Sequence, residues 1–178
     1  MSDITQLIKD NTRIIPDYPR PGIQFQDITP LLGNASAFKD TIAAIAQKSI
    51  DQKIDKIAAI EARGFILGSA LALYLGAGFV PIRKKGKLPA ETISATYSLE
   101  YGVDTIEIHK DAINKGENIL LIDDLVASGG TAIAATELLQ QLEANIIGAS
   151  FITNLNFLGG AEQLKQRGIK VYSLLKLL

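Results

Sequence analysis

A chain of 178 residues, 47% hydrophobic and 21% charged, has the size and composition of one globular domain. A formal net charge of -1 supplies no global field for nucleic acid or an anionic membrane, so any polyanion must be bound by a local site. The absence of cysteine excludes disulfides, thiolate chemistry and zinc-thiolate clusters, and with the polar start over 1–11 it points to the cytoplasm.

In chain order, a short helix is expected over 3–10, followed by a segment holding Pro16, Pro19, Pro21 and Pro30. Fixed φ angles and missing N–H groups discourage regular structure there, so it reads as an ordered loop or hood. From Asn34 or Ser36, either able to cap, Phe38, Ile42, Ile45, Ala46 and Ile50 fall at roughly helical spacing and predict a helix to about Ile50. Residues 64–82 carry no charge, approaching the ~20 that span a bilayer. Gly68, Ser69, Gly76, Gly78 and Pro81 interrupt that run, which divides better into a buried helix over 65–75, a glycine turn and a strand over 79–83.

Short apolar runs at 56–60, 79–83, 118–123, 146–153 and 171–175 read as strands, and three of the intervals between them hold helix-like segments. That alternation predicts an α/β fold with a mostly parallel central sheet flanked by helices. The exception is 85–110, where Thr92, Tyr97, Thr105, Ile106 and Ile108 surround a polar stretch and predict a hairpin with an exposed, flexible tip. No repeat or long linker divides the chain, so 1–178 is read as a single domain.

The most informative stretch is 118–131. A buried strand, Ile119-Leu120-Leu121-Ile122, ends in Asp123-Asp124, and Ala127-Ser128-Gly129-Gly130-Thr131 then opens a helix. The glycines let backbone N–H groups curl around an anion, Ser128 and Thr131 add hydroxyls, and the helix N-terminus adds partial positive charge. This is not a Walker A loop: no lysine follows the glycines, and the carboxylates before them suit ribose hydroxyls better than a nucleoside triphosphate. On its own, the plainer reading is an aspartate pair capping a turn and a small-residue link into a helix.

Ile119 to Thr131 resembles the phosphoribosylpyrophosphate motif of the type I phosphoribosyltransferases: a hydrophobic run, two acidic residues and a Thr/Ser-Gly-Gly-Thr loop. Beyond the motif, Asp17-Tyr18-Pro19, Pro21-Gly22-Ile23, Asp27-Ile28-Thr29-Pro30, Glu61-Ala62-Arg63-Gly64-Phe65, Ile82-Arg83-Lys84-Lys85-Gly86-Lys87-Leu88-Pro89 and Tyr97-Ser98-Leu99-Glu100-Tyr101-Gly102 extend the resemblance, in order, towards the adenine-using branch of that family. The resemblance implies the type I fold, with an N-terminal hood over 1–33 and a hairpin lid over 85–110. It also implies the reaction of adenine with 5-phosphoribosyl-1-pyrophosphate to give AMP and pyrophosphate, and a homodimer as the assembly; the dense negative charge of a pyrophosphate ester then implies Mg²⁺ as cofactor, bound through substrate phosphates.

By the same resemblance, Asp123 and Asp124 hold the ribose hydroxyls, and Ala127, Ser128, Gly129, Gly130 and Thr131 bind the 5-phosphate. Arg63, Arg83 and Lys87 bind pyrophosphate, Arg83 within its own subunit or across a dimer interface. Gln24, Phe25 and Gln26 read adenine, and Glu100 exchanges a proton with the purine. A non-proline cis peptide is expected at Glu61-Ala62. Two positions depart from the family's pattern: Gln26 stands where arginine or lysine is common, and Ser128 where threonine is usual. The phosphoribosyl motif alone leaves open another base, or a non-catalytic sensor of phosphoribosylpyrophosphate. The single histidine, His109, receives no role.

Overall fold

The computed structural model describes residues 3–49, 52–98 and 102–177. Helix α1 (Ile4–Asp10) starts where Asp3 Oδ1 accepts from the Thr5 N–H at 3.0 Å. The proline segment departs from the loop expected of it. It forms an antiparallel ribbon of β1 (Arg13–Pro16) and β2 (Gln24–Asp27), followed by α2 (Thr29–Gly33). The prolines survive this because Pro16 closes the ribbon opposite Gln24, Pro19 follows a cis bond in the connection, and Pro30 sits in the first turn of α2.

Helix α3 (Ala35–Gln47) is capped by Asn34, whose Oδ1 accepts from the Ala37 N–H. It ends before Ile50, which lies outside the described residues. The uncharged run resolves into α4 (Arg63–Leu75) and β4 (Gly78–Lys84), after β3 (Lys56–Ile60). Among the described residues no helix is long and apolar enough to cross a membrane. The hairpin comprises β5 (Thr92–Ser98) and β6 (Val103–His109), and the rest is β7 (Asn118–Val126), α5 (Gly130–Gln141), β8 (Asn145–Leu155), α6 (Gly160–Gln166) and β9 (Val171–Leu177).

The large sheet has the order β5-β6-β4-β3-β7-β8-β9. From β4 to β9 every pairing is parallel, and the hairpin adds two antiparallel edge strands. Both faces of the sheet are covered, which is why the strands read as continuous apolar runs. On β7, Ile119 and Leu121 enter the core beneath α5 and α6, while Leu120 and Ile122 enter the one beneath α1, α3 and α4. Gly68 sets the depth of α4: a Cβ there would lie 2.6 Å from Ala59 Cβ, so only glycine lets the helix settle this close to the sheet.

Strand β7 runs past the expected end at Asp123, because the eleven-residue β8 keeps pairing with it through Leu125↔Thr153 and Val126↔Asn154. The chain leaves β3 towards β4 on one side and later returns to β7 on the other. That reversal opens a crevice at the carboxyl ends of β3 and β7, where open α/β sheets bind ligands.

Candidate active site at the carboxyl ends of β3, β4 and β7

A cavity of about 410 Å³ occupies this crevice. Asp123 to Thr131 form one wall, Glu61 and Arg63 come from the β3–α4 turn, Lys84 from the end of β4, and Tyr97 and Asp104 from the hairpin. The Glu61-Ala62 peptide in that turn is cis, as expected.

Asp124 is almost fully buried, and its Oδ2 lies 2.6 Å from Arg63 Nε in an ion pair. Asp123 sits beside it, its Oδ1 accepting the Asp124 N–H at 2.9 Å. Burial, and then the adjacent Asp124 carboxylate, push the Asp123 carboxyl well above the usual range. Gly64 makes room for this pair: a Cβ there would stand 3.0 Å from Asp123 Oδ1 and 3.1 Å from the Ile122 carbonyl oxygen.

The Ala127–Thr131 loop folds through Gly129 at φ +90°, open to glycine and strained for other residues. The loop lines the cavity at the start of α5, and a helix start favours an anion. The loop is held from behind by a glycine absent from the sequence-based reading: the Gly160 N–H donates to the Ala127 carbonyl at 3.0 Å, and Gln163 Nε2 donates to the Ser128 carbonyl at 3.2 Å. The visible signal was the Gly159-Gly160 pair ahead of a short helix, which marks a turn without revealing what lies against it.

Arg63 also links the sheet to the ribbon, its guanidinium lying 5.0 Å from the centroid of the Phe25 ring. Tyr18 packs edge-on to the same ring at 5.1 Å. Phe25 is thus brought to the site. Gln24 is exposed, and Gln26 turns inward to 8% exposure.

The basic cluster divides. Arg83 is not in the cavity lining but is held by Glu61, which is, and which accepts from Nε at 3.2 Å and from a terminal nitrogen at 3.1 Å. That hydrogen bonding holds the Glu61 carboxyl below its ordinary range. The other terminal nitrogen of Arg83 donates to the Lys87 carbonyl at 3.1 Å, and the Lys87 side chain is exposed. Lys84, not singled out from the sequence, lines the cavity instead, with Nζ 3.1 Å from Asp104 Oδ2. Asp104 also accepts from the Tyr97 hydroxyl at 3.4 Å. Burial raises the Tyr97 phenol pKa, and a hydrogen bond with Thr131 opposes the rise. Glu100 lies outside the described residues.

The arrangement therefore brings a glycine-rich loop at a helix start, four carboxylates and two cations around one cavity, with an aromatic ring packed on one of the cations. A family model described as the phosphoribosyl transferase domain matches residues 32–167. The adenine phosphoribosyltransferase of Brucella ovis is 56% identical over 167 residues, covering 94% of this chain and 92% of its own length. The crystal structure of adenine phosphoribosyltransferase from Rhodothermus marinus superimposes with a TM-score of 0.93 at 44% identity, covering 99% of this chain and 100% of that one. The Saccharomyces cerevisiae enzyme, complexed with D-2,5-dideoxy-2,5-imino-altritol 1,6-bisphosphate and adenine, has a TM-score of 0.91 at 42% identity, covering 98% of this chain and 99% of its own.

Proposed function

This chain belongs to the phosphoribosyltransferase family, and from that premise we infer that it joins adenine to 5-phosphoribosyl-1-pyrophosphate, giving AMP and pyrophosphate in purine salvage. The observation that carries this reading is the single cavity in which a glycine-built anion cradle adjoins Asp123 and Asp124.

In the mechanism we propose, the loop from Ala127 through Ser128, Gly129 and Gly130 to Thr131 holds the 5-phosphate, and Asp123 and Asp124 hold the ribose hydroxyls. As the bond to pyrophosphate breaks, positive charge grows on the sugar ring, as in glycoside cleavage. Carboxylates placed beside that ring act where the charge develops. Arg63 and Lys84, both lining the cavity, meet the pyrophosphate, and Arg83 and Lys87 join them when the hairpin closes. Closure excludes water, which would otherwise hydrolyse the activated sugar. Adenine lies against Phe25, read by the backbone and side chains of Gln24 to Gln26. We assign Glu100 the proton exchange with the purine. In this account 1–33 form the hood and 85–110 the lid of one domain.

Among the described residues no group of three or more acidic or imidazole side chains could cage a metal. The donor set fits Mg²⁺ carried on substrate oxygens, with Asp123 and Asp124 as the nearby carboxylates. Bound there, Mg²⁺ supplies charge neutralisation of the pyrophosphate. We also assign the chain to the cytoplasm, in keeping with its lack of cysteine, and to a homodimer. Leu73, 87% exposed, with Tyr74 and Ile66 exposed on the same helix, supports a covered α4 face.

The test is pyrophosphate release from phosphoribosylpyrophosphate and Mg²⁺ with adenine, hypoxanthine, guanine, xanthine or uracil supplied separately. Release with adenine is expected; a different preferred base, or none, overturns the assignment.

A further inference from the structure

The phosphate loop is not shaped by its own residues alone. A Cβ at Gly160 would collide with the Ala127 carbonyl oxygen and come within 2.5 Å of the Gly129 nitrogen and 2.6 Å of the Ser128 carbonyl carbon. Reciprocally, a Cβ on Gly129 would lie 2.8 Å from Gly160 Cα. All of these neighbours are backbone, so no side chain can swing away to relieve the overlap. The same approach carries two directed contacts, from the Gly160 N–H to the Ala127 carbonyl and from Gln163 Nε2 to the Ser128 carbonyl. Each ties down a peptide bond within the cavity-lining loop.

We propose that Gly160, with Gln163, is a positioning residue for the phosphate loop: the start of α6 sets the orientation of the loop amides that receive the 5-phosphate. The inference rests on the phosphoribosyl reading above and adds a determinant from a part of the chain that touches no substrate. A side chain at Gly160 must displace the loop, because every atom it would meet there is backbone. The loop binds a group that does not react, so the loss falls on substrate affinity and leaves turnover nearly intact.

The experiment compares wild type, Gly160→Ala, Gln163→Ala and Gly168→Ala in steady-state kinetics, with ribose 5-phosphate binding measured by calorimetry. Gly168, at φ +80° beyond the far end of α6 with open space around it, controls for simple weakening of that helix. Gly160→Ala is expected to raise KM for phosphoribosylpyrophosphate about tenfold or more and to weaken ribose 5-phosphate to the same degree. KM for adenine and kcat should stay within about twofold. Gln163→Ala should raise the same KM about two- to threefold, and Gly168→Ala should leave it unchanged. An unchanged KM in Gly160→Ala, or an equal rise in Gly168→Ala, overturns the proposal; if Gly160→Ala does not fold, an unchanged KM in Gln163→Ala does so. Should wild type turn over no base, the activity assignment fails, and ribose 5-phosphate binding still decides the role of Gly160.

Discussion

The loop proposed to hold phosphate and the basic residues at the end of β4 are built differently. The loop works through backbone, fixed by a left-handed glycine and by α6 behind it. The rim proposed to meet pyrophosphate consists of Arg83 and Lys84, side chains that are 33% and 60% exposed and already paired with Glu61 and Asp104. The first site is preorganised and loses nothing to rearrangement when an anion arrives. In the second, an incoming pyrophosphate must replace protein carboxylates as the partner of each cation. Substitutions in the loop should therefore cost far more than substitutions in the rim.

The sharpest way to break that contrast is Gly129→Val. A β-branched residue is a true outlier at φ +90°, and its Cβ would run into the Gly160 backbone. We expect kcat/KM for phosphoribosylpyrophosphate to fall about 10²–10³-fold, the scale of losing a preorganised donor. A fall under tenfold in a folded variant would mean that the loop is not the preformed half of the site.

Next in size is Asp123→Asn, which sets function against stability. Because the native carboxyl titrates above its ordinary range, the unfolded chain loses its proton first as pH rises. The penalty for burying it is absent below about pH 4, grows through the interval between the two pKa values and persists above it. The variant should lose about 10²-fold in turnover while melting higher at pH 7 to 8, by roughly the 2–4 °C that ~1 kcal/mol gives a chain of this size. The stabilisation should vanish near pH 3. A lower melting temperature at pH 8 would show that the ionised Asp123 is supported rather than strained.

What could be read beforehand follows the same division. Asp123, Asp124 and the glycines are contiguous, so one strand-to-helix turn displays them in sequence. The two-sided sheet was equally visible, because burial on both faces leaves uninterrupted apolar runs such as Ile119 to Ile122. The ribbon of β1 and β2 was not legible, since its prolines sit at pairing ends and in the connection, a placement that composition does not reveal. Nor was Gly160, whose loop partners Ala127 and Gly129 lie about thirty residues earlier, nor the meeting of Tyr97 and Asp104 with Lys84 across two strand connections. Lys84 and Arg83 are neighbours in one charge run, and strand alternation sends adjacent side chains to opposite sides. Charge spacing alone could not say which would line the cavity.

The smallest effect tests the rim directly. Lys84 rests on Asp104 across the β4–β6 edge, and the Asp104 hydrogen bond raises the Lys84 pKa. If pyrophosphate competes with that carboxylate, Asp104→Asn should lower KM for phosphoribosylpyrophosphate. The pair is partly exposed, and such pairs contribute roughly 0.2–1 kcal/mol, which limits the change to about two- to fivefold at low salt. Screening at about 1 M salt shortens the Debye length to ~3 Å and should remove most of the difference. Burial raises the Asp104 pKa, but hydrogen bonds from the Thr105 N–H and Lys84 outweigh it, so Asp104 remains ionised down to below the ordinary carboxylate range. The comparison should therefore be flat with pH from 6 to 9. A rise in KM would instead mean that Asp104 aims Lys84 at the substrate, which would make this part of the rim as preorganised as the loop.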